Sequence, residues 1–121
     1  MQFDINTQLT YKFRAWPNQV NVHPISFSAG FYTGTQAVLS TAVTSTNLGL
    51  RDYVISLVPG SQSAVSPYCR KVNQGLADVI VITFTGAPGM CSLTKGASYY
   101  LNVKASAAGT TVDYLLNATP L

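Results

Sequence analysis

The chain has 121 residues and a mass of 12.9 kDa, the size of one ordinary domain and long enough to bury one sizeable core. Charged residues make up only 9% of it, and all four acidic residues are aspartate, with no glutamate anywhere. This excludes a coiled coil, an acidic tail, a helical bundle and any catalysis that needs Glu, and a net charge of +3 from seven scattered basic residues is too weak a field for nucleic-acid binding.

The surface residues are mostly Ser, Thr, Asn and Gln. Such a neutral polar coat suits packing into an assembly or lying against sugars. The segment Met1 to Ile5 lacks the basic start and apolar run of a signal peptide. No stretch approaches the roughly 20 apolar residues of a membrane span. Thirteen Thr, twelve Val and seven Tyr favour pleated surfaces, and the ion pairs that support isolated helices hardly exist.

The first predicted strand is Leu9 to Arg14, with Leu9, Tyr11 and Phe13 on one face and Lys12 and Arg14 on the other. Trp16-Pro17-Asn18 follows as a loop tip. Val20 and Val22 then alternate with Gln19, Asn21 and His23. Pro24 marks that strand as an edge, a bulge or two pieces. His23 is expected to face solvent or lie on the edge. Thr35 to Thr46 reads as a strand with Ala37, Leu39, Thr41 and Val43 on one face, because its Thr and Ser residues disfavour a helix.

Asp52 to Val58 puts Tyr53, Ile55 and Leu57 together. Asp78 to Phe84 is apolar on both faces, which predicts a central strand or one beneath a partner. Ser98 to Lys104 has Tyr99, Leu101 and Val103 on its apolar face. Thr110 to Leu116 gathers Val112, Tyr114 and Leu116. Turn residues recur between these runs: Pro59-Gly60, Asn73-Gln74-Gly75, Gly86-Ala87-Pro88-Gly89, Gly96 and Gly109. The pattern predicts one domain over residues 1–121: an all-β, antiparallel β-sandwich, Ig-like or jelly-roll-like, with seven to nine strands and no secure helix.

Cys69 and Cys91 permit one disulfide, whose loop closure would contribute roughly 3 kcal/mol. Two buried free thiols are the other reading; a composition of extracytoplasmic type favours the bridge. The segment from Tyr53 to Val103 has a distinctive order: Val54-Ile55-Ser56-Leu57-Val58-Pro59-Gly60, then Cys69-Arg70, then Cys91-Ser92-Leu93-Thr94-Lys95-Gly96-Ala97-Ser98-Tyr99-Tyr100-Leu101-Asn102-Val103. It resembles the C-terminal half of uncharacterised β-sandwich modules in exported bacterial proteins and phage structural proteins. The resemblance implies a sandwich and a Cys69–Cys91 bridge. It covers under half the chain, departs from the pattern at Ser61-Gln62, and implies no activity or catalytic residues.

Chemistry-bearing constellations are few. No Gly-x-Ser-x-Gly elbow accompanies His23. Asp52 and Asp78 stand near strand starts, where Asp usually caps turns, while Asp4 and Asp113 are isolated. No calcium loop or zinc set is present, so no catalytic residue, metal or cofactor is expected. For stacking on a sugar, the candidates are Trp16, Tyr32, Tyr68 and one of Tyr99 and Tyr100, with Asn18, Gln19 and Asn73 as hydroxyl partners.

The expectation is a non-enzymatic structural or interaction module, extracellular or part of a virion such as a phage capsid or tail appendage. Its partners would be copies of itself or other assembly proteins. The alternative is a carbohydrate-binding or adhesion domain of an exported bacterial protein, with a cell-surface glycan as partner.

Overall fold

A computed structural model describes residues 2–43, 51–73, 76–105 and 111–121. Four strands run outward along the chain: β1 (Tyr11–Ala15), β2 (Val20–Ile25), β3 (Gln36–Val43) and β4 (Arg51–Ser56). Four run back: β5 (Arg70–Asn73), β6 (Ala77–Thr83), β8 (Tyr99–Ala105) and β9 (Val112–Pro120). A two-residue strand, β7 (Cys91–Ser92), intervenes before β8. Each outward strand pairs antiparallel with a returning one: β4 with β5, β3 with β6, β2 with β8, β1 with β9. The chain is thus one long ribbon that doubles back after Ser56.

The ribbon is also rolled. β9 pairs with β3 as well as β1, and β8 pairs with β4 as well as β2. These extra pairings split the strands into two packed sheets, ordered β1-β9-β3-β6-β7 and β2-β8-β4-β5. A ribbon folded across two sheets in this order is the jelly-roll winding; the Ig-like alternative keeps its first two strands in one sheet, whereas β1 and β2 lie in different ones. The architecture is an all-β sandwich, and the only helical element among the described residues is a single 3-10 turn, Pro67–Cys69.

The core follows the expected alternation in most strands. Val112, Tyr114, Leu116 and Ala118 point inward from β9, Tyr99, Leu101 and Val103 from β8, and Ala37, Leu39 and Thr41 from β3. Phe27, Tyr32 and Phe84 close one end, with Phe27 making edge-to-face contacts to both other rings and Tyr32 tilted against Phe84. The Cys69–Cys91 disulfide, with an S–S distance of 2.02 Å, links the start of β5 in one sheet to β7 in the other. Gly96 adopts φ +81°, so the Leu93 to Gly96 turn uses the left-handed conformation that glycine permits.

Two expectations are corrected. β2 is an edge strand that runs straight through Pro24, but its faces are inverted: His23 and Ile25 are buried while Val22 is 39% exposed. The inner face of β2 meets the Tyr114 hydroxyl, and polar side chains there satisfy it. Val22 sits on the outer face beside the turn at Gly60. Leu57 lies beyond the end of β4 and is exposed, because the chain leaves the sheet at Ser56 to start its return. β6 lies between β3 and β7 in its sheet, and among the described residues β7 pairs with its Ile82 and Thr83 only.

Candidate functional site

The winding sends six of the expected ligand residues to opposite ends of the sandwich. Trp16, Asn18 and Gln19 form the β1–β2 turn, and the backbone of Asn73 is at the same end, paired with Arg51. The Asn73 side chain lies outside the described residues. Tyr32, in the β2–β3 connection, and Tyr68, just before β5, are at the other end. One sugar cannot be held by all six.

Tyr32 also leaves the candidate set on its own account. It is fully buried, and its hydroxyl donates to the Ile5 carbonyl. Burial, and secondarily the charge of Asp4, raises its pKa above the ordinary phenol value. It offers no face for stacking. Tyr68 is 58% exposed on the 3-10 turn.

The Trp16 turn is ordered by its own backbone. The Gln19 amide donates to the Trp16 carbonyl at 3.2 Å, and Asn18 takes φ 61°, a conformation Asn tolerates. Trp16 is about half-exposed, with the Arg14 guanidinium 5.6 Å from its ring centroid. Arg14 in turn makes a bidentate pair with Asp113, at 2.8 and 3.3 Å. The pair holds the Asp113 carboxyl below its ordinary pKa and raises that of Arg14.

Next to this turn, the open edges β1 and β2 flank a groove of about 590 Å³. Its lining includes Phe13, Arg14, Asn21 and His23. His23 Nε2 is 2.7 Å from the Tyr114 hydroxyl, which also accepts a hydrogen bond from Asn21 Nδ2 at 2.8 Å. The His23 ring packs 4.4 Å from Phe13 and 6.3 Å from Phe3, centroid to centroid. Burial lowers the His23 pKa to about 4 and raises that of Tyr114, so both are neutral at neutral pH.

Arg51 extends the polar interior. It is fully buried in β4, and its Nε donates to the Tyr53 hydroxyl at 3.3 Å. Sequence periodicity could not announce a buried arginine, since charge normally marks the solvent face. The Asp residues are engaged one by one. Asp52 makes a bidentate pair with Arg70, and Asp4 accepts the Asn6 amide. Asp78 accepts the Val79 amide and lies 3.7 Å from Lys71. No group of three His, Cys, Asp or Glu side chains suited to a metal ion occurs among the described residues.

The opposite flank of the sandwich sets exposed apolar side chains beside the paired charges of Arg70 with Asp52 and Lys71 with Asp78. Tyr68 and Val79 border a cleft of about 220 Å³ between the 3-10 turn, β5 and β6. Val72 and Leu76 are exposed nearby, on β5 and in the turn into β6. The Leu93 amide bonds the Thr83 carbonyl, which puts alternate main-chain groups of β6 on the side away from β3. Among the described residues, no strand pairs with that side from Ala77 to Val81, and β5 of the other sheet packs beside it.

No protein-family model, curated protein or solved structure matches the chain. The described residues contain no helix long and apolar enough to cross a membrane.

Proposed function

We propose that this chain is a non-enzymatic structural or interaction module that works in a virion, such as a phage capsid or tail appendage, or in an extracellular assembly. The observation that carries this reading is the stretch of the β6 edge from Ala77 to Val81, which pairs with no strand among the described residues and lies beside exposed Tyr68, Val72, Leu76 and Val79. An open strand edge with apolar neighbours is a template for pairing with another chain. The other flank contrasts with it: β1 is also an edge, but it carries outward-facing Lys12 and Arg14, which discourage pairing. A buried disulfide is compatible with an oxidising, extracellular setting. Jelly rolls occur in capsid and lectin domains, so the fold agrees with this reading by analogy only.

Light-scattering mass over a concentration series tests it. The expected mass exceeds the 12.9 kDa of one chain as concentration rises, and Val79→Lys shifts it back toward the monomer. A clean monomer at high concentration refutes self-assembly.

A second reading, a carbohydrate-binding or adhesion domain of an exported bacterial protein, is favoured by half-exposed Trp16 beside the amides of Asn18 and Gln19. A glycan array with Trp16→Ala as control tests it. Binding that ignores the substitution counts against that turn.

A further inference from the structure

The unpaired stretch of β6 is guarded by one of its own side chains. Main-chain groups of an antiparallel strand alternate from side to side. Toward β3, the Val43 amide donates to the Leu76 carbonyl and the Phe84 amide to the Thr35 carbonyl. On the other side, the Thr83 carbonyl accepts the Leu93 amide. By the same alternation, the amides of Ala77, Val79 and Val81 point away from β3. The middle one is already taken: Val79 donates to Asp78 Oδ1 at 2.8 Å. That carboxylate also lies 3.7 Å from Lys71 Nζ on β5. A bond to a charged acceptor is stronger than the one a neighbouring strand's carbonyl offers. β5 packs beside β6 but leaves Ala77 and Val79 exposed, so Asp78 is what stands between this amide and another strand.

We propose that Asp78 is the gate of the β6 edge, and that a second copy of this chain pairs there, antiparallel about a two-fold axis at Val79, once Asp78 yields the Val79 amide. This rests on the assembly reading and names its partner and its control. The edge is self-complementary. Centred on Val79, such a pair sets Val79 against its counterpart, Ala77 against Val81 and Asp78 against Ile80, so no like charges face each other. The same pairing of β1, centred on Phe13, would set Lys12 against Arg14, two cations that repel. Lys71, already beside Asp78, receives the released carboxylate. Inward or edge-placed charges are a known means of holding open edges in check.

The test compares the unaltered chain with Asp78→Ala and Lys71→Ala. Sedimentation equilibrium over a concentration series reads association, and amide hydrogen exchange at the lowest and highest concentrations reads the edge. In the dilute unaltered chain, the Val79 amide is expected to be protected relative to that of Ala77, after correction for intrinsic rates. Asp78→Ala removes that protection at low concentration. It also strengthens association by about tenfold per copy, about a hundredfold per pair, since each copy gives up one charge-assisted bond on pairing. Lys71→Ala leaves the cap in place and brings no such gain.

Asp78→Ala that associates no more tightly than the unaltered chain, or an equal gain in Lys71→Ala, overturns the gate; association of the unaltered chain through β6 would then leave the assembly reading standing. A Val79 amide no better protected than Ala77 in the dilute unaltered chain also overturns it, even if Asp78→Ala does not fold. Exchange over β1 that slows with concentration means head-to-tail pairing and overturns the two-fold arrangement. No association by any of the chains removes both the gate and the assembly reading.

Discussion

Acidification tests the buried histidine directly. His23 titrates at about 4 in the folded chain, against an ordinary 6.5, because burial disfavours its charged form. The unfolded chain therefore binds a proton more readily than the folded one between those two values. Stability attributable to His23 is complete above about pH 6.5 and is lost as the pH falls toward 4. A shift of that size corresponds to about 3 kcal/mol, a large share of the 5–15 kcal/mol typical of a domain. Urea denaturation in steps from neutral pH to pH 4 measures it, with the midpoint falling steadily and the slope unchanged. His23→Phe should flatten the profile. Tyr114→Phe should keep most of the fall, since burial rather than the hydroxyl causes the shift. Asp113 does not mimic the effect: its carboxyl is held below the ordinary 3.8, so its loss sets in at lower pH. Stability that stays level in the unaltered chain, or an equal fall in His23→Phe, would refute the reasoning.

Two further predictions concern stability. Replacing Cys69 and Cys91 by Ala opens a loop of sequence separation 22 and should cost about 3 kcal/mol, read as a lower denaturation midpoint. Thiol titration of the unaltered chain, denatured without reductant, should find no free thiol, and finding two would contradict the bridge. Asn102 is buried on the outer face of its sheet, where it accepts the Gly60 amide and donates to Ser56 Oγ and the Ser61 carbonyl. Asn102→Leu leaves those groups unmet and should cost about 2–4 kcal/mol, with faster amide exchange over residues 57–61; unchanged exchange there would mean that Asn102 does not pin the turn.

The sequence carried the fold where side-chain alternation coincided with burial. Val112, Tyr114 and Leu116, and likewise Tyr99, Leu101 and Val103, face inward as their period-two pattern indicates. β2 broke that rule because a strand's inner face is chosen by what lies opposite it. There, the Tyr114 hydroxyl receives Asn21 and His23, and the apolar valines turn out. The candidate site was less legible for a similar reason. Aromatic and amide residues can be picked from composition, but the roll of the ribbon decides which end each occupies. It separated Trp16 from Tyr68 and buried Tyr32 against the N-terminal segment. Asp78 to Phe84 was apolar on both faces, as for a central strand. The same pattern also suits a strand beneath a partner: β6 does lie between β3 and β7, but among the described residues β7 pairs only with Ile82 and Thr83 and Val79 is exposed.

That edge holds the central claim, and amide hydrogen exchange at two protein concentrations tests it most directly. If copies of the chain pair through β6, exchange over Ala77–Val81 slows as concentration rises while exchange over the charged edge β1 stays constant. Exchange in β6 that is independent of concentration would contradict the account.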